Sequence, residues 1–154
     1  MTVPISPVNL PSEDWRAYRG VLWRRALAFI FDYVMIAILW VPAALVVFFL
    51  GILTFGLGFA LYPVLYFIVA VAYFGMTVGG RTQASPGMRM MGLQVARLDG
   101  QPMDFMMAMV HLVLFWIANA VLTPLVLLVG LFTDRGRLLH DLLIGTVTVR
   151  RDFY

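Results

Sequence analysis

The chain has 154 residues, of which 62% are hydrophobic and only 12% are charged. Because soluble domains carry about 25% charged residues, this composition excludes an ordinary soluble domain and indicates an integral membrane protein. Cysteine is absent and histidine occurs twice, so we expect no disulfide, no metal site, no cofactor and no enzymatic activity. The net charge is +3 and the arginines flank apolar stretches, which predicts anionic lipid headgroups as partners and no nucleic acid.

Residues 1–22 are predicted to form an irregular tail followed by a short interfacial helix. Ser12 is a helix-capping residue type, and Trp15 and Arg19 are aromatic and basic anchors typical of a membrane interface. The apolar run that follows is too long for the core of a signal peptide. We therefore expect the first span to act as its own insertion signal.

Two apolar stretches, residues 26–50 and 59–78, predict a hairpin of membrane-spanning helices. Each is long enough to cross a bilayer, which takes about 20 residues. The glycine-rich turn that starts at Gly51 carries no charge, whereas arginines flank both outer ends of the hairpin. The positive-inside rule therefore predicts that the N-terminus and the polar residues 79–104 lie in the cytoplasm.

Asp32 lies inside the first span, and the next formally charged residue is Arg81. A carboxylate at membrane depth is costly and is a candidate functional site by default. Two interpretations remain open: Asp32 binds a proton or a cation, or it makes a fixed buried interaction that orients the helices. Arg25 lies about two turns earlier on the same helix face, too far away for a direct pair. Asp141 is the natural partner for Arg25.

Two strand-like segments interrupt the helical pattern. Leu93–Leu98 follows a turn or helix-start signal at Ser85–Gly87, and Thr146–Val149 has the alternating sequence TVTV. The two segments could pair only if they lie on the same side of the membrane.

The third apolar stretch, residues 105–133, leaves two topologies open. A single crossing would put the four arginines that follow it outside, and two full crossings need roughly 35–40 residues. A re-entrant helix pair, broken near Asn119–Pro124, would return the C-terminus to the cytoplasm. Asn119 and Thr123 are one turn apart and form a further candidate cation site, while His111 is expected on a different helix face.

Three motifs in this chain resemble those of the RDD family of membrane proteins, which is named for one arginine and two aspartates. The first motif consists of Trp23, Arg25, Ala28 and Asp32. The second lies in the polar loop and consists of Gly79, Gly80, Thr82, Gly87, Arg89, Gly92, Leu93, Val95, Asp99 and Gly100. The third consists of Leu139, His140, Asp141, Leu142, Gly145, Thr146 and Val147. They occur in the family's order, with three extra residues after Thr82.

The resemblance implies a single RDD-type domain over residues 1–154 in a bacterial inner membrane, with Arg25, Asp32 and Asp141 as the family's residues. We expect an all-α polytopic membrane protein: a helical hairpin of two spans, a third embedded helical segment, and short cytoplasmic strand-like segments.

Two functions from different classes follow from the resemblance and the residues. Cation/proton antiport is attributed to some family members, and it would use Asp32 with Asn119 and Thr123. Three helices leave little room for a pathway, so transport predicts a homo-oligomer.

The alternative is a scaffold or an accessory subunit of a membrane complex, which would bind a partner or anionic lipid through its cytoplasmic face. Arg89, Asp99 and His140 are its structural or partner-binding candidates.

Overall fold

A long helix dominates the computed structural model, which describes residues 15–122 and 126–153. This helix, α1, runs from Val21 to Leu53, continues through Pro42 and extends beyond the predicted span at both ends. Its 33 residues make it about 50 Å long, more than the roughly 30 Å of a hydrocarbon core. A single 3₁₀ turn, Trp15–Tyr18, precedes it. The predicted cap at Ser12 lies outside the described residues.

A tight turn connects α1 to the second long helix and closes the predicted hairpin. Thr54 Oγ1 donates to the Leu50 carbonyl oxygen and accepts the Gly58 N–H, so one side chain ends α1 and starts the next turn. A Cβ at Gly58 would lie 2.6 Å from the Gly51 nitrogen, which explains why this position needs glycine. A 3₁₀ helix, Leu57–Leu61, leads into α2, Tyr62–Thr77.

The polar residues that follow α2 fold against the beginning of α1. They form the short helix α3, Pro86–Met90, and the strand β1, Leu93–Arg97. β1 pairs antiparallel with β2, Thr146–Arg150, with Leu93 opposite Arg150 and Arg97 opposite Thr146. The two segments that the sequence marks as strand-like therefore pair with each other.

The third apolar stretch consists of two helices, α4 at Phe105–Leu122 and α5 at Val126–Phe132. The Asp104 carboxylate accepts the Met107 N–H at 2.7 Å and starts α4, next to Gly79 at the end of α2. Gly130 of α5 packs against Leu22 at the start of α1. The stretch thus begins and ends near the same end of the hairpin.

Beyond α5 the chain returns to the end of the molecule that contains α3 and β1, which we call the polar end. The helix α6, Leu139–Ile144, leads through Gly145, whose φ of +69° suits glycine, directly into β2. Buried apolar residues connect β1 with α2 and α4 in a cluster of Val78, Val95, Met103 and Ala108. A second cluster, Ile36, Ala70 and Tyr73, joins α1 and α2 further along the hairpin.

The outer surfaces of the hairpin are apolar, as a membrane environment requires. Two helical stretches, Trp15–Leu53 and Leu57–Thr77, are long and apolar enough to cross a bilayer. Only 17% and 22% of the residues in their most apolar windows are buried, so most of their apolar side chains face outward. The helices thus fit a helical membrane protein better than the core of a soluble one.

Candidate functional site

One face of α1 carries the charged residues that the sequence singles out. The buried residues Val21, Arg25, Ala28, Asp32 and Ile36 recur every three or four positions, which is the period of a single helix face. Arg25 and Asp32 therefore both point into the protein, as expected. Each meets its partners on different elements, so the face supports two separate polar clusters.

Asp32 is surrounded by donors and is only 2% exposed. Its Oδ1 accepts the Tyr73 hydroxyl at 2.7 Å and the Gly87 N–H at 2.8 Å, and its Oδ2 accepts the Ser85 hydroxyl. The Ser85 oxygen also accepts the Met88 N–H and so caps α3. Asp32 thereby joins α1, α2 and the start of α3 in one buried hydrogen-bond network.

Gly87 lets the backbone of α3 approach α1 closely. A Cβ at this position would overlap the Ala28 carbonyl oxygen and would lie 2.8 Å from Asp32 Oδ1. At the other end of α3, Arg24 Nη1 donates to the Met91 carbonyl oxygen at 2.7 Å. Both ends of this short helix are therefore held by side chains of α1.

We expect Gly87→Ala to lower the free energy of unfolding by about 1–3 kcal/mol, because α3 would have to move away from α1. Thermal unfolding of the detergent-purified protein measures the effect. Met90→Ala in the same helix is the matched control, since the Met90 side chain is 62% exposed. Equal thermal stability of the two variants would contradict the close packing of Gly87.

The second cluster contains the ion pair that the sequence predicts between α1 and the C-terminal motif. Arg25 Nη1 donates to Asp141 Oδ2 at 2.5 Å, and Asp141 is fully buried. Asp141 also accepts the Leu138 N–H at 3.0 Å and the Thr146 hydroxyl at 3.1 Å. The carboxylate thus holds the start of α6, the start of β2 and α1 together.

The protonation of this cluster follows from its burial and charges. Burial alone would raise the pKa of Asp141, but the Arg25 guanidinium is the strongest opposing influence, and the net pKa lies well below the usual range. Burial lowers the pKa of the adjacent His140 to about 3. Asp141 is therefore ionised and His140 neutral at physiological pH.

His140 does not lie at the protein surface. It is 1% exposed, its Nε2 lies 3.3 Å from Arg25 Nη2, and its ring packs edge-on against His111 of α4 with centroids 4.6 Å apart. Packing between α4 and α6 covers the ring, so of the two roles predicted for His140, structural or partner-binding, its burial fits the structural one.

A cavity of about 310 Å³ lies between α1 and α4, beside both clusters. Most of its walls are apolar, and its polar lining residues are Arg25, Asp32, His111, Asn119 and His140. The structure thereby brings Asn119 to the same cavity as Asp32. Thr123, the third predicted ion-site residue, lies outside the described residues.

His111 and Asn119, which are expected on different helix faces, both line this cavity. A helix turns by about 100° per residue, so two residues eight positions apart differ in direction by about 80°. A wide cavity can contact both of them. Ala108, Leu112 and Phe115 line the same cavity between and before them. A broad helix face, not a narrow stripe, borders the cavity.

Arg89 and Asp99, the other predicted partner-binding residues, are exposed on the polar end of the molecule. Asp99 pairs with Arg97 in the turn after β1. No site role was predicted for Tyr73, Ser85 or His111. The helix-start signal Ser85-Pro86-Gly87 is the feature from which a contact between Ser85 and Asp32 could have been inferred. The first N–H groups of a helix have no partner inside the helix and attract a carboxylate.

Comparisons with known proteins agree with the motifs. The model of the RDD family matches residues 19–145, which is most of the chain. The chain matches no curated protein and no solved structure. The matched range contains Arg25, Asp32 and Asp141, the residues at the centres of the two buried clusters. The chain belongs to the RDD family and is a membrane-type protein of that family.

Proposed function

We propose that this protein exchanges a cation for protons across the membrane through a site that includes Asp32. The observation that supports this is the cavity, whose mostly apolar walls carry the Asp32 carboxylate and the Asn119 amide, together with Arg25 and the two histidines. Ionisable groups inside membrane segments usually face such cavities and mark ion or proton pathways. Carboxylate and amide oxygens are the ligand types that hard cations prefer.

The hydrogen bonds of Asp32 are compatible with a change of occupant. Two of its three donors, Tyr73 and Ser85, are hydroxyls, which can rotate and offer an oxygen lone pair. The Gly87 N–H is a fixed donor and would keep the carboxylate in place. A cation could therefore replace a proton at Asp32 with little backbone movement.

We further propose that the polar end of the molecule faces the cytoplasm and that the protein is a multi-pass protein of the inner membrane. The pairing of β1 with β2 supports this topology, because it requires the polar loop and the C-terminal segment on one side. The start of α4 lies beside Gly79, and Gly130 of α5 lies beside Leu22. Both positions are at the same end of the hairpin, which supports a re-entrant third segment. Because one chain has too few helices to enclose a pathway, we propose a homo-oligomer.

Proteoliposomes test the exchange directly. A preset pH gradient should dissipate when Na⁺, K⁺ or Li⁺ is added to vesicles with the wild-type protein, and this flux should be lost in Asp32→Asn. Asp104→Asn is the matched control, because Asp104 is an exposed helix cap and asparagine caps helices equally well.

Two results would reject transport through Asp32. One is the absence of cation-dependent flux from folded, inserted wild-type protein. The other is full flux in Asp32→Asn. Flux that is lost when the protein is diluted with lipid until it is monomeric, and that is retained when the oligomer is first cross-linked, would support the oligomeric pathway.

The second candidate function is a membrane scaffold or accessory subunit that acts without chemistry on a substrate. It is favoured by the Asp32 network, which fixes α3 and so shapes the polar end. Exposed arginines at that end, Arg81 and Arg89, are suited to anionic headgroups or an acidic partner. Under this function, Arg81→Ala with Arg89→Ala should reduce the anionic lipid that copurifies with the protein, and Asp32→Asn should have no effect.

A further inference from the structure

We propose that His111, His140 and Asp141 form a binding site for a divalent transition metal, with Zn²⁺ as the best-fitting ion. One ligand atom from each residue lies within 4.8 Å of the others. His140 and Asp141 are adjacent on α6, and His111 reaches them from α4. This site goes beyond the proposed exchange at Asp32 and does not depend on it.

The distances in the cluster fit a shared ion better than direct hydrogen bonds. His140 Nε2 lies 3.5 Å from Asp141 Oδ1, and His111 Nε2 lies 3.8 Å from the same oxygen. Such separations are too long for good hydrogen bonds. Ligands of a tetrahedral Zn²⁺ lie roughly 3.3 Å apart, given bonds of about 2.0–2.1 Å. Small movements would therefore bring all three atoms into coordination distance.

The hydrogen-bonding state of the two imidazoles points the same way. Nδ1 of His111 and Nδ1 of His140 are buried and have no hydrogen-bond partner within the described part of the chain. The Arg25 guanidinium only donates, so the His140 Nε2 that faces it is the acceptor nitrogen and carries the lone pair. A metal ion at this nitrogen would take the lone pair in place of the Arg25 N–H.

Charge balance sets a requirement for the fourth ligand. Arg25 binds Asp141 through Oδ2 and leaves Oδ1 on the side of the histidines, where the Thr146 hydroxyl is its other contact. Because Arg25 neutralises the charge of Asp141, an added Zn²⁺ needs an anionic fourth ligand such as hydroxide. The cavity, which both histidines line, gives access for such a ligand. The bound ion would hold α4 against α6.

Metal analysis of the full-length protein tests this site. The protein carries a histidine-free purification tag, so that His111 and His140 are its only histidines. After dialysis against Zn²⁺, we expect one bound Zn²⁺ per wild-type chain and less than about a tenth of an equivalent in His111→Ala, since only two of the three protein ligands would remain. Co²⁺ should give the intense visible bands of a tetrahedral site in the wild type and not in His111→Ala.

Asn119→Ala is the matched control, because Asn119 lines the same cavity on the same helix and is not a proposed ligand. His111→Leu keeps much of the side-chain volume and covers the case in which the alanine variant does not fold. Zn²⁺ should raise the unfolding temperature of the wild type and of Asn119→Ala, and should leave His111→Leu unchanged. Equal Zn²⁺ content in wild type and folded His111→Leu, or no Zn²⁺ in the wild type, would overturn the proposal.

Discussion

Arg25→Ala should lower the free energy of unfolding by about 3–5 kcal/mol, because it leaves the Asp141 carboxylate buried without its counter-ion. Asp141 is fully buried and Arg25 is 8% exposed, so bulk solvent screens this pair of charges only weakly. The pair also joins elements that are far apart in sequence, and its loss should weaken the attachment of α6 and β2 to α1. Unfolding in detergent micelles titrated with SDS measures the change.

The pair of Arg97 and Asp99 is a matched control on the same protein. It has the same chemistry, but the Asp99 side chain is 49% exposed. Exposed ion pairs contribute about 0–1 kcal/mol, so Arg97→Ala should change the unfolding free energy by less than about 1 kcal/mol. A similar loss in Arg25→Ala and Arg97→Ala would contradict the importance of burial.

Replacement of both partners separates the cost of an unpaired charge from the value of the pair. Apolar residues of similar size often replace a buried ion pair without loss of stability. Arg25→Met with Asp141→Leu should therefore be more stable than Arg25→Ala. It should not reach the wild type, because Asp141 also accepts the Leu138 N–H and the Thr146 hydroxyl.

Much of the framework could be predicted because it depends on local patterns. Long apolar stretches predict α1 and α2, and the alternation in Thr146–Val149 predicts β2. The pairing of Arg25 with Asp141 could also be predicted, since a buried arginine needs a carboxylate and Asp141 stands in a recognisable motif. These inferences require only the hydrophobic pattern of a segment or the rule that a buried charge has a partner of opposite charge.

The contents of the two clusters could not be predicted in the same way. His111 joins His140 because α4 packs beside α6, and no local pattern fixes the rotation of α4 about its axis. Tyr73 has the sequence context of a packing or interface tyrosine, yet its hydroxyl reaches Asp32. These contacts depend on how separate elements dock, which is a property of the packed structure.

Asp32→Ala should lower the free energy of unfolding by several kcal/mol, whereas Asp32→Asn should cost about 1 kcal/mol or less. Alanine leaves the Tyr73 hydroxyl, the Ser85 hydroxyl and the Gly87 N–H without their acceptor. Each buried donor left unpaired costs about 1–3 kcal/mol. The hydroxyls can turn to other acceptors, but the Gly87 N–H cannot.

Asparagine can preserve most of this network. Its side-chain oxygen can take the place of Oδ1, where the Tyr73 hydroxyl and the Gly87 N–H donate. Its NH₂ group would then face Ser85, whose hydroxyl oxygen can accept once its hydrogen has turned away. The same SDS titration measures both variants, and Ser85→Ala reports the share of the Ser85 hydrogen bond.

The difference in stability between Asp32→Ala and Asp32→Asn determines what a loss of ion flux in Asp32→Asn means. If Asp32→Asn folds like the wild type and Asp32→Ala does not, the carboxylate is needed for stability only as an acceptor, and a loss of ion flux in Asp32→Asn reports the missing charge. Equal destabilisation by both variants would instead mean that the negative charge itself holds the network together. The hydrogen-bond geometry favours the first outcome, because Tyr73, Ser85 and the Gly87 N–H are all neutral donors to Asp32.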